Sequence, residues 1–136
     1  MPEKKTLERA RRDKREGKAP STQAGEFVRE EIEHIREGKH GARSAKQAIA
    51  IGLSKARRAG VDLKPPRRGE ASPRTVKSAQ REYAAGHSHT VHEKTPSRKR
   101  SQAATRALKH ESTEAASHEA LSHQAHEAAK RRRRRH

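Results

Sequence analysis

The stretch "KHGARSAKQAIAIGLSKARRAG", residues 39–60, holds Ile49, Ile51 and Leu53 in a chain otherwise poor in large apolar side chains. Seven basic or histidine side chains share it and no acidic one does. Ser44 and Gln47 have the spacing of a capping box, in which the serine hydroxyl accepts from the Gln47 amide and the glutamine reaches back. Gly60 suits a left-handed helix end, with Val61 placed to pack back on Ala56. These signals predict a helix over 45–59. At 100° per residue, Ala45, Ala48, Ile49, Gly52, Leu53, Ala56 and Ala59 share one side, and Lys46, Gln47, Ser54, Arg57 and Arg58 the other. Ala48, Gly52 and Ala56 are small and four apart, so a second helix can approach closely. Ile51 falls on the polar side near Lys55 and Arg58, where either a later helix or a partner must cover it.

A helix-turn-helix break at Gly52 is the rival reading, with Ala48, Gly52 and Ser54 in the turn positions. The recognition helix would then last under two turns. An isolated glycine costs a helix only about 1 kcal/mol, so a continuous helix is expected.

The partner stripe lies just upstream. In "STQAGEFVREEIEHIREG", Ala24, Val28, Ile32 and Ile35 recur at the helical period, flanked by Phe27 and ending at Gly38. Ser21 or Thr22 is the expected N-cap of a helix over 22–37. The six-residue connection that follows makes the two helices antiparallel neighbours. The expected core is Val28, Ile32, Ile35, Ala48, Ile49, Gly52, Leu53 and Ala56.

Around this hairpin the chain is charged. It carries 34 Lys+Arg against 17 Asp+Glu, a formal charge of +17, with 28% hydrophobic residues in 136. Such a balance buries too little apolar surface to order a long chain, so disordered basic linkers and tails are expected around one small, marginally stable unit. Dimerisation, as a homodimer, or DNA binding would add to that stability.

A mostly α fold in four segments is therefore expected. Residues 1–20 form a basic N-terminal arm with a helix at 3–16 that docks nothing, Leu7 being its only large apolar residue. Residues 21–63 are the helical hairpin. Residues 64–100 are a linker, extended at Pro65-Pro66, with a helix at 73–85 opened by Ser72 and Pro73 and striped by Val76, Ala79 and Tyr83; "HSHTVHEKTPSRKR" reads as loop. Residues 101–136 are Ala- and His-rich, helix-forming over 101–130 without a core, and end in an Arg run.

Several classes of function are disfavoured. There is no cysteine, hence no thiolate metal site or disulfide. The N-terminus has no apolar leader and no run of 18 apolar residues exists, which predicts a cytoplasmic protein without a membrane span. No nucleophile stands with a base and an orienter, so no enzyme and no small-molecule substrate are expected. No cofactor is expected either. Histidines cluster at His87, His89 and His92 and at His118, His123 and His126, but no cysteine and few carboxylates accompany them, and no metal site is expected. Eight of the ten histidines follow residue 86, so acidification adds charge to the tail.

What remains is a polyanion partner. "SPRT" at 72–75 and "TPSRK" at 95–99 look like the Ser/Thr-Pro-basic elements of linker-histone tails. The run Lys130, Arg131, Arg132, Arg133, Arg134 and Arg135 contacts phosphate without reading sequence. Lys39, Arg43, Lys46, Lys55, Arg57, Arg58, Arg98, Lys99 and Arg100 complete the candidate phosphate-binding set. Stacking aromatics and a reading helix are lacking, so no base readout is expected.

Residues 19–60, and "KQAIAIGLS" above all, resemble a family of small, very basic bacterial proteins of unknown function that share a "KQAIAIGLSxARRAG" block. Some members are labelled DNA-binding or plasmid stabilisation proteins. The likeness spans about residues 1–66. It implies a bacterial source and nucleoid contact, and it assigns no catalytic residue. The sequence thus predicts a sequence-independent, histone-like DNA-binding protein. Its alternatives are a protein-interaction module in plasmid stabilisation or an antitoxin-like role, and an RNA- or ribosome-associated protein.

Overall fold

The computed structural model describes residues 2–87 and 98–134. The described chain is mostly helical: α1 (Lys4–Arg15), α2 (Pro20–Arg36), α3 (Ala45–Arg58), α4 (Pro73–His87), α5 (Arg98–Lys109), a 3-10 turn (Glu114–Ala116) and α6 (His118–Arg134). It divides into two compact units, the first made of Met1–Glu30 and Ile51–Thr95, the second of Glu31–Ala50 and Pro96–His136.

The caps of α3 act as the sequence predicts. Gln47 donates its backbone N–H to Ser44 Oγ at 3.1 Å, while its side-chain oxygen accepts from the Arg43 N–H at 2.7 Å, one residue before the expected partner. At the far end Gly60 takes φ +97°. Val61 N–H donates to Ala56 C=O at 3.1 Å and Gly60 N–H to Arg57 C=O at 3.1 Å, the paired bonds of a Schellman closure. The same pair of bonds closes α1 on Asp13 and Lys14, and α2 on His34 and Ile35. Between its caps α3 is one continuous helix, with no break at Gly52.

In the first unit α2 and α3 touch at Val28 and Gly52. A Cβ built on Gly52 would lie 2.6 Å from Val28 Cα, so the two backbones pack directly, as the small-residue stripe requires. Ala24, Phe27, Ala56 and Val61 form a buried cluster, with Leu53 and Leu63 partly buried against it. As α2 advances from 24 to 28, α3 retreats from 56 to 52, so the pair is antiparallel. In the second unit Ile35, Ala42 and Ala48 are buried together with Ile32 against them. Ile49 is half-buried and belongs to neither cluster, contrary to its expected core role. Ile51 is likewise half-buried.

Four expectations are corrected. The helix at 3–16 is not an undocked arm: Ala10 is buried in the first cluster and Leu7 packs on it. Glu30 on α2 accepts the Glu3 N–H at 2.6 Å, placing a carboxylate at the α1 N-terminus, where the helix dipole favours it. Helix α2 begins at Pro20, and the first carbonyl to accept is that of Ala19. Proline suits this first helical position because its missing N–H would have no partner there, so Ser21 and Thr22 lie inside the helix instead of capping it. The 101–130 helix is two helices. Gly41 N–H donates to Leu108 C=O at 2.8 Å and Ala42 N–H to Ser112 C=O at 2.9 Å, drawing the chain away from helical bonding. Ala115 and Ala116 then bury beside Ile35 and Ala48. Ser117 restarts the helix by accepting the Ala120 N–H at 3.1 Å. Residues 98–100, read as loop, are the first turn of α5; the rest of that loop, 88–97, with His89 and His92, lies outside the described residues.

Helix α4 starts on Ser72, whose Oγ accepts the Thr75 N–H at 3.3 Å, and it packs against the end of α3. A Cβ on Gly86 would collide with the Arg57 carbonyl. Ala79 is buried, and Tyr83 donates its hydroxyl to Asp62. That bond, with Lys64 Nζ 3.3 Å away, holds the Asp62 carboxyl below the usual range.

Candidate nucleic-acid interface

The predicted phosphate-binding residues divide between the two units. Lys55, Arg57 and Arg58 belong to the first; Lys39, Arg43, Lys46, Arg98, Lys99, Arg100 and Lys130 through Arg134 belong to the second. Arg135 lies outside the described residues. In the second unit all of these side chains are exposed. Lys130 to Arg134 form the last turn and more of α6. Cations there face the negative end of the helix dipole, which favours that turn as helix even among like charges.

Arg57 does not have the expected role. It is 9% exposed, and its guanidinium donates to the carbonyls of Leu63 at 3.2 Å and Lys64 at 3.4 Å. Burial pushes it below its usual range, opposed by Glu82. Arg57 staples the 61–64 turn to α3 and offers nothing to phosphate. Arg58 is exposed, with Nη2 3.4 Å from Glu82 Oε1. Such pairs in water contribute little. Arg57→Met keeps the apolar stem and leaves two carbonyls without their donor, so a loss of about 1–3 kcal/mol is expected in urea melts. DNA affinity of the folded fraction should change less than about twofold, because no phosphate contact and no salt slope is lost.

The sequence reading missed a basic face on α1. Lys5, Arg9, Arg12 and Arg15 line one shallow groove with Glu8, while Thr6, Ala10 and Asp13 on another face are buried. The spacing of four, three and three was available as a signal, but an undocked helix has no defined outer face.

The residues best placed to hold a metal are also outside the predicted set. Glu31, His34 and His40 each offer one ligand atom, and those atoms lie within 4.8 Å of one another. Glu31 is 1% exposed. Glu31 and His34 are one helical turn apart on α2, and His40 follows the Gly38 closure.

No family profile, curated protein or solved structure matches this chain.

Proposed function

We propose that this protein binds duplex DNA without sequence preference, as a nucleoid-associated protein acting through phosphate contacts. The observation that carries the reading is the charge: a formal +17 in 136 residues, with many of the described basic side chains exposed on helices. The exposed α6 end, Lys130 to Arg134, and the α1 face, Lys5, Arg12 and Arg15, are its strongest concentrations. Fixed cations on helices displace condensed counterions without first ordering a loop, which favours polyanion binding. Separate basic faces on one chain raise the effective concentration of each for a long polymer. Base reading is not part of the proposal, because only one Phe, one Tyr and no Trp exist to stack or wedge.

With about 6–10 phosphates neutralised, the plot of log affinity against log salt should fall with a slope near −5 to −9. Changing Lys130 through Arg134 to Gln together removes five contacts and should flatten the slope by about 4–5. Fluorescence anisotropy with random-sequence duplexes from low to physiological salt measures both. An affinity that ignores salt, or a slope unchanged in the fivefold variant, would overturn the proposal. Tighter binding to structured RNA than to duplex would move the function to RNA.

A further inference from the structure

The geometry points to a divalent transition-metal site, best suited to zinc, built from Glu31, His34 and His40 in the second unit. His40 Nδ1 lies 2.9 Å from the Gly41 carbonyl. A carbonyl can only accept, so a hydrogen bond there puts the proton on Nδ1. In the neutral ring the lone pair is then on Nε2, and that atom lies 3.3 Å from Glu31 Oε2. Two lone-pair atoms at this separation repel unless a cation, either a proton or a metal ion, joins them.

Three features favour a metal ion. Zinc bonds of about 2.0–2.2 Å place neighbouring tetrahedral ligands roughly 3.4 Å apart, close to the His40–Glu31 separation. A third donor, a ring nitrogen of His34, lies within the same 4.8 Å cluster, which brings the donors to the three that an open tetrahedral site takes from protein. The His40–Gly41 bond is also the outer contact that orients metal-ligating histidines and sets their tautomer.

The fold supplies the setting. Glu31 and His34 share a face of α2 because they are three apart. The Gly38 closure reverses the chain, with the Lys39 N–H donating to the His34 carbonyl at 3.0 Å, so His40 returns over the same turn. The 39–44 connection is held in place by the bonds from Gly41 and Ala42 to Leu108 and Ser112. Two histidines and one glutamate leave the fourth position of a tetrahedral ion for water or an exogenous ligand.

Tail histidines would bind metal weakly, so the test uses the full chain with its eight histidines after residue 86 changed to Asn. Titration with Co2+, read by the visible ligand-field bands of a four-coordinate ion, should show one equivalent, competed by Zn2+. His34→Ala and His40→Ala should each weaken binding by more than the 10–100-fold that outer-shell changes cost. Glu31→Gln, close in shape to the native residue, should do likewise while circular dichroism shows the helices intact. Zn2+ should raise the melting temperature of the tail variant and not of its His40→Ala derivative. Absence of stoichiometric binding in the tail variant, or binding that survives His34→Ala and His40→Ala together, would overturn the site and leave His40 as a hydrogen-bond partner of Glu31.

Discussion

Gly52→Leu is expected to abolish the cooperative melt, and Gly52→Ala to cost up to about 2 kcal/mol. Two effects compete at this position. Alanine is the better helix former by about 1 kcal/mol, because glycine gives up more backbone freedom on folding. Against that, the new Cβ would lie 2.6 Å from Val28 Cα and 2.9 Å from Val28 N. Backbone cannot swing aside as a side-chain tip can, so α2 and α3 must separate. Overpacking of this kind costs about 1–3 kcal/mol and sometimes more. Separation also loosens the buried cluster that holds Ala24 and Ala56 one turn away, so packing outweighs propensity. Urea unfolding followed by circular dichroism gives the sign directly. A Gly52→Ala variant more stable than the native chain would show that the helices do not meet at this point.

Phe27→Ala is expected to remove about 3–5 kcal/mol, the range for truncating a buried phenylalanine. Phe27 is 1% exposed and is the largest buried side chain of its cluster, whose other buried members are three alanines and one valine. Alanines supply close approach and little transfer energy. A small domain has about 5–15 kcal/mol in all, and a core this thin belongs near the bottom of that range. The variant should therefore lie largely unfolded in buffer, with its helical signal restored on adding DNA if binding is coupled to folding. Ile49→Ala, at a half-buried position outside both clusters, should cost far less.

Those two residues also show how much was legible beforehand. Features that depend on neighbours in sequence could be read: the Ser44 and Gly60 caps, the Ser72 cap and the single helix through Gly52. The pairing of α2 with α3 could be read too, because a stripe of large residues at 28, 32 and 35 matches a stripe of small ones at 48, 52 and 56. Features that depend on distant partners could not. Helix α1 carries one leucine and an alanine on its docking face, too little apolar surface to announce burial. Arg57 sits among charges on a helical wheel, and only the return of the chain at 61–64 surrounds it with carbonyls. The break at 110–117 lies in alanine-rich sequence whose propensity favours helix, and it is set by bonds to Gly41 and Ala42. The same holds for the candidate metal ligands: most histidines lie in the tail, while His40 joins Glu31 and His34 only through the turn after Gly38.

The division of the chain at 30/31 and 50/51 bears on how the protein can be cut. The boundaries fall inside α2 and α3, so each unit is assembled from two separated pieces of the polypeptide. A fragment ending near residue 66 would keep the hairpin but lose Ala115 and Ala116, which cover Ile35 and Ala48. One starting near 96 would keep those alanines with nothing to cover. The stretch that looks from composition like a dispensable C-terminal tail is a structural half of the second unit, and the core of that unit is complete only when Ala115 and Ala116 are present.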